Sequence, residues 1–243
     1  MEMTNTIKEL YERKSVRSFL DKEIEAEKAD LILRSAAMAP TAGNQQLYTI
    51  IKVTDRALKE RLAVLCDNQP FIAEGKLVLL FLADCQKWYD AYLAVGCEPR
   101  KPSVGDLLLA VDDALIAAQN AVVAAESMGI GSCYIGDIME NCEDVRGLLG
   151  LTEYVFPAAL LVFGYPTEQQ KNREKPQRAN MKHIVHENAY RHMDAAELKE
   201  MLGDRTGQKG YEEWLKAFCE RKYNSDFSKE MGRSVGEYLK KFR

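Results

Sequence analysis

The 243-residue chain has no close pair of cysteines; its six (Cys66, Cys85, Cys97, Cys133, Cys142 and Cys219) are scattered. That spacing argues against a disulfide-stapled secreted domain and against zinc sites built on Cys-x-x-Cys pairs. The histidines His183, His186 and His192 add no ligand spacing. No basic, long-apolar leader opens the chain, so it reads as cytoplasmic with reduced thiols. An excess of positive charge is also missing: a net charge of −4 suits neither nucleic acid nor any partner bound through many phosphates. Gly-x-Gly-x-x-Gly between a strand and a helix, a Walker loop and Gly-x-Ser-x-Gly are all absent. Rossmann enzymes, P-loop NTPases and α/β-hydrolases are thereby disfavoured. No Pro-, Gly- or Ser-rich linker divides the sequence, and the length fits a single domain over residues 1–243.

What is present centres on Asp106–Met128, a helical stretch whose polar residues come in pairs seven apart: Asp112-Asp113, Gln119-Asn120, Glu126-Ser127. Seven residues return to nearly the same side of a helix, so the pairs form one narrow polar stripe. Apolar residues elsewhere on the helix require burial in protein, and Ala117, Ala118, Ala121, Ala124 and Ala125 permit close backbone approach, within the core or at a partner subunit. Asp112 and Asp113 interrupt any membrane span, leaving an uncharged run short of the ~20 residues needed.

Helical spacing occurs at 4–13 and 25–38, and Asp55 caps a helix through Cys66. Leu47–Val53, Leu77–Ala83, Ser132–Ile135 and Ala158–Gly164 read as strands, the two longer apolar runs buried on both faces. Asn141 is placed to cap a helix to Leu149. The pattern dissolves at 84–105, read as a surface excursion carrying Trp88, Tyr89 and Tyr92, either as ordinary packing or as a lid over a planar ligand. A helical tail occupies 195–243. The sum is an α+β fold: a small mixed sheet surrounded by helices, with a long buried central helix.

Arg13-Lys14-Ser15-Val16-Arg17 and the segment Lys171–Lys182, where five basic residues face the single acid Glu174, have the donors of a phosphate site. Guanidinium forks, a lysine charge and a hydroxyl all suit its oxygens. A solvated charged face is the plainer explanation of either run alone. The amides of Ala39–Gln46 suit a heterocycle edge or sugar hydroxyls, or an Asx-type turn. Gln69 before Pro70 is open to both explanations too.

Five motifs in order carry a resemblance: Glu12-Arg13-Lys14-Ser15-Val16-Arg17-Ser18-Phe19; Ala39-Pro40-Thr41-Ala42-Gly43-Asn44-Gln45-Gln46; Gly129-Ile130-Gly131-Ser132-Cys133-Tyr134-Ile135-Gly136; Phe156-Pro157 leading to Phe163-Gly164-Tyr165-Pro166; and Lys175-Pro176-Gln177-Arg178. From about Thr4 to Tyr190 the chain resembles the FMN-dependent nitroreductase family. Its helical tail resembles the flavin reductase and oxygen-insensitive nitroreductase branch. The resemblance implies a homodimer with FMN at the subunit interface, reduced by NADPH or NADH and oxidised by a flat small-molecule acceptor such as a nitroaromatic, quinone or flavin. It assigns Arg13, Ser15 and Arg17, with Lys14 beside them, to phosphate and ribityl contacts, and Lys175 and Arg178 to the same phosphate site. Thr41, Ala42, Asn44 and Gln46 fall in the loop set against the other subunit's flavin, and Gln69 matches an amide at the ring edge. Tyr134, Ile135 and Gly136 match the backbone facing the isoalloxazine.

The sequence departs from the family at Gln177, inserted within the late basic pair, and at Asp137, where a second glycine is expected. No protein acid or base is implied, since the flavin carries the chemistry. Arg205 and Lys209 are candidate cations for an NADPH phosphate, against the plainer reading of a solvated loop. A non-redox FMN-binding protein, a protein that keeps the fold without the cofactor, and a same-fold dehalogenase or flavin-fragmenting enzyme are the alternatives.

Overall fold

The computed structural model describes residues 3–203, 205–206 and 210–243, and its contacts divide the chain into two compact units. The first is Met1–Arg173 with Glu230–Arg243, and the second is Glu174–Lys229.

The first unit is built on a four-stranded sheet, β1 (Tyr48–Val53), β2 (Leu77–Asp84), β3 (Gly131–Ile135) and β4 (Val155–Gly164), in the order β1-β2-β4-β3. All three pairings are antiparallel. The sheet is thus antiparallel where a mixed one was expected, and the parallel contact is an isolated bridge outside the named strands, Ser15 to Ser132, on the free side of β3. Every residue of β2 and β4 is buried. Alternation along β2 explains the uninterrupted apolar run, because Leu77, Leu79, Phe81 and Ala83 face one core and Val78, Leu80 and Leu82 face the other.

The helices are α1 (Asn5–Glu12), α2 (Ala26–Ala37), α3 (Arg56–Leu65), α4 (Phe71–Glu74), α5 (Gln86–Ala94), α6 (Val104–Ser127), α7 (Cys142–Leu149), α8 (Glu168–Asn172), α9 (Ala195–Gly203), α10 (Tyr211–Lys222) and α11 (Asp226–Leu239). Asp55 caps α3 as expected, accepting from Leu58 N at 2.7 Å. Asn141 precedes α7 in a left-handed conformation (φ 51°) and makes no side-chain cap there. Its Nδ2 instead donates to Leu65 O at the end of α3.

α5 corrects the expectation of an irregular excursion at 84–105. Trp88 and Tyr92 are one helical turn apart and their rings lie 5.8 Å apart, so the helical signal was an aromatic i, i+4 pair rather than an aliphatic stripe. Irregular chain is confined to its far end, between α5 and α6.

α6 is long and apolar enough to cross a membrane, yet one face lies in the core. Ala110, Ala114, Ala117, Ala118, Ala121 and Ala125 are fully buried and pack in one cluster with Ile32 and Ala36 of α2 and with the sheet. Leu108, Leu109, Leu115 and Ile116 are exposed, so the helix is buried on one side rather than all round.

The tail is helical throughout its described regular elements, and Tyr238 and Phe242 at its end are buried in the first unit's core. In the second unit, α9 and α10 contact one another.

At Gly131 the chain before the sheet comes close to β3. A Cβ there would meet Val16 Cγ2 at 2.6 Å, and Val16 N donates to Ser132 O at 2.9 Å. Gly131→Ala is expected to destabilise the protein by about 1–3 kcal/mol in urea unfolding. Adding Val16→Ala should recover part of that loss in a double-mutant cycle.

Candidate functional site

β3 connects two groups of polar side chains. At its start, the Ser15–Ser132 bridge brings in the basic run that follows α1. Burial raises the Cys133 thiol, while the charges of Arg17 and Arg13 and hydrogen bonds with Ser15 and Arg17 pull it the other way. The basic run therefore lies beside β3, with Ser15 bridged to Ser132 at its start and Arg13 beside Tyr134. The Arg13 guanidinium lies 5.8 Å from the centre of the Tyr134 ring, and its Nε and Nη2 are buried with no hydrogen-bond partner.

Buried guanidinium N–H groups without acceptors are costly. An anion with several oxygens is the chemistry that completes them. On this observation, the residues present fit a phosphate.

Lys14 goes elsewhere. Its Nζ donates to Lys171 O and Arg173 O, both at 2.5 Å, and Arg173 in turn donates to Ser15 O. These contacts clamp residues 171–173 beside the basic run. Lys175 and Arg178 belong to the second unit. There Arg178 lines a cavity of about 300 Å³ with Asn180, His183, Glu200 and Arg205. Lys209 lies outside the described residues.

At the other end of β3, Tyr134 and Ile135 lead to Gly136 and a 3-10 turn, Asp137–Met139. The Tyr134 hydroxyl, pushed up to about 12 by burial, donates to Gln119 Oε1 at 3.3 Å. Gln69 reaches the turn from beyond α3: its Nε2 donates to Asp137 Oδ2 at 3.1 Å and to Cys66 O at 2.9 Å. The basic run thus lies beside β3 and the Gln69 amide at the turn that follows it. The arrangement suits an elongated ligand with a phosphate at one end and a hydrogen-bonding ring at the other.

The amide loop is held from α6. Ala42 N donates to Asp113 Oδ1 at 2.9 Å and Leu47 N to Asp113 Oδ2 at 3.1 Å. Gln46 N donates to Thr41 Oγ1 at 3.1 Å, and Trp88 Nε1 to Gln45 O at 2.7 Å. Gly43, Asn44 and Gln46 all have positive φ, a backbone that needs such external fixing. Thr41 and Ala42 are half-buried, and Asn44 and Gln46 are exposed.

Asp113 is 2 % exposed and was not among the candidate site residues, although it belongs to the polar stripe. The signal available was a carboxylate facing an otherwise apolar helix environment, which needs donors. Beside the loop, Gln45, Leu47, Trp88, Tyr89, Tyr92 and Leu109 line much of a pocket of about 340 Å³.

Glu140 was missed for want of any motif. It is 5 % exposed, and its Oε1 is buried without a partner. Burial and the charges of Asp137, Asp67 and Glu230 push its carboxyl up to about 7.

The Nitroreductase family model matches residues 10–165. An FMN reductase (NADPH) of Bacillus subtilis is 32 % identical over 254 residues, spanning 95 % of this chain and 98 % of the relative. An oxygen-insensitive NADPH nitroreductase of Salmonella typhimurium is 33 % identical over 192 residues, 79 % of this chain and 77 % of the relative. Among solved structures, the NfrA1 nitroreductase of B. subtilis superposes with a TM-score of 0.79 at 30 % identity, covering 94 % of this chain and 98 % of that one.

Two expectations follow from the geometry. Asp113→Ala leaves two N–H groups without their charged acceptor and should cost about 3 kcal/mol in urea unfolding, with faster proteolysis of the 41–47 loop. A glutamate in the unfolded chain ionises near ~4.3, below Glu140 in the folded one. Stability is therefore lost as pH rises from that value through about 7 and changes no further above it. Glu140→Gln should match the wild-type Tm near pH 4 and exceed it increasingly up to about pH 7.

Proposed function

The chain belongs to the Nitroreductase family, and on that premise we propose that it is an FMN-dependent NAD(P)H oxidoreductase acting on flat acceptors such as nitroaromatics, quinones or flavins. The observation that supports this reading is the pair of orphaned Arg13 donors in the basic run that Ser15 bridges to β3, while Gln69 reaches the turn that follows the strand. FMN, when bound, supplies two-electron chemistry, taking a hydride from the nicotinamide and giving it to the acceptor that replaces it.

The chain's own residues bind and orient. Arg13 and Arg17 neutralise the phosphate and Ser15 gives it a hydroxyl donor. The backbone of Tyr134–Gly136 would hold the ring, with Gln69 at its edge. The Asp113-anchored loop of Thr41, Ala42, Asn44 and Gln46 closes the site of a second subunit. Lys14 contributes indirectly, by holding residues 171–173 against the basic run.

A homodimer is the assembly this reading requires. The exposed leucines and isoleucine of α6 support it, because an apolar helix face of that kind is covered in assemblies. Six cysteines, all free, support a reducing, cytosolic location. For NADPH preference, Arg205 is the described cation assigned to the extra phosphate, beside Arg178 in the second unit's cavity.

The direct test is the visible spectrum of the purified protein under anaerobic conditions. A flavin spectrum that bleaches with NADPH or NADH and returns on adding a quinone or nitroaromatic is expected. Bound flavin that neither nicotinamide bleaches would establish a non-redox FMN protein instead. Arg17→Ala should weaken FMN binding by about tenfold or more, as expected when a charge-assisted contact is lost. A protein that takes up no FMN would overturn the proposal. Ile116→Glu is expected to shift sedimentation towards a monomer and to release FMN with it.

A further inference from the structure

The Gln69 carboxamide has one orientation that its surroundings permit. Both of its partners, Cys66 O and the Asp137 carboxylate, offer it oxygen acceptors, so the nitrogen faces them. An amide nitrogen has two hydrogens, and both are used. Only Oε1, an acceptor, is left for a ligand.

Cys66 O is a backbone atom and stays in place; Asp137 is a side chain on a short 3-10 turn and does not have to. Glu140 lies at the end of the same turn, with its N–H donating to Asp137 O at 3.0 Å. Its carboxyl is buried, has an unpartnered oxygen, and is surrounded by groups that disfavour a negative charge. Asp137 shares its turn, Asp67 faces it from the end of α3, and Glu230 faces it from α11. Glu230 is engaged with Arg233, which also binds Glu143 of α7. That arginine is committed to other carboxylates. A second negative charge at Glu140 therefore acts directly on Asp137.

We propose that Asp137 is a positioning residue that fixes the Gln69 amide with Oε1 towards the ligand, and that the charge of Glu140 switches this hold. While Glu140 is neutral, Asp137 keeps its bond to Gln69 Nε2. When Glu140 loses its proton, repulsion opens the turn and frees one Gln69 N–H. This rests on the FMN reading for what Gln69 touches, but the coupling between the three side chains does not.

The test has one arm without flavin and one with it. In the ligand-free protein, carboxyl ¹³C and side-chain amide ¹⁵N spectra are followed from pH 5.5 to 8.5. Glu140 and the Gln69 amide are expected to titrate together in the wild type, and the Gln69 signal should be flat in Glu140→Gln. Asp137→Asn, which keeps an acceptor oxygen but loses the charge, should flatten it as well and serves if Glu140→Gln folds poorly.

In the second arm, FMN affinity is measured over the same range by fluorescence quenching. The ligand phosphate's own ionisation is common to all variants and cancels in comparison. Wild-type Kd should rise with pH by roughly 2- to 10-fold relative to both variants, the effect of one hydrogen bond, and Asp137→Ala should be weak at every pH.

A Gln69 amide that ignores the Glu140 titration, or that follows it unchanged in both variants, overturns the inference whatever FMN does. A pH-dependent Kd identical in wild type, Glu140→Gln and Asp137→Asn overturns it as well. Coupled titration in a protein that binds no FMN would uphold the switch and refute the flavin reading alone.

Discussion

The rest of the structure depends on how closely α6 approaches the sheet. Six alanines on one face of that helix are fully buried, and their size lets the backbone lie against β2 and β4 with α2 fitted alongside. A larger residue at any of them would push the helix outwards, because a packed interior has no slack for an added methylene. The distance matters beyond the core, since the polar groups of α6 reach the rest of the protein only at that separation. Asp113 reaches two N–H groups of the amide loop, and Asn120 Nδ2 reaches Ser35 O at the end of α2. Gln119 meets Tyr134 on the edge strand.

The site follows from that frame. The loop carrying Thr41, Ala42, Asn44 and Gln46 has a backbone that would not hold its shape in water, with positive φ at Gly43, Asn44 and Gln46. One buried carboxylate and one indole N–H fix it from outside. The basic run is fixed on the other edge by backbone bonding of Val16 to β3 and by the Lys14 clamp. Neither group contains its own rigidity. Each borrows it from a strand or helix of the core, which is how a binding site gains precision at small entropic cost.

Much of this was legible in the sequence because its signals are local. Strands with β-branched and apolar runs, the Asp55 cap and the alanine-rich helix all announce themselves within one or two turns of chain. The stripe of polar pairs on α6 was also visible, but its meaning was not: a helix periodicity says which residues share a face and not what they meet. Asp113 is the example, since its partners are 71 and 66 residues away. α5 is hard to read for the opposite reason: its short-range signal is aromatic, and such a signal reads equally as a packed loop. Lys14 reads as one more phosphate ligand in a basic run, and only the fold shows that its charge is spent on backbone carbonyls of residues 171 and 173.

Glu140 was the hardest to read, because nothing about an isolated glutamate before an Asn-Cys pair signals burial. Its position follows from constraints imposed by others. The turn after β3 must leave the sheet at Gly136, α7 must start at Cys142, and Ser234 of α11 holds both sides of that junction by donating to Met139 O and accepting from Cys142 N. Glu140 and Asn141 are the residues between those two contacts, so the Glu140 side chain goes where the packing of α3 and α11 leaves room. A buried carboxyl with one empty oxygen is a liability for stability. Its place beside the amide proposed to meet the ligand is intelligible if its proton does something for that amide, and the Asp137 carboxylate, in a position where the family pattern has glycine, is the group through which it would act.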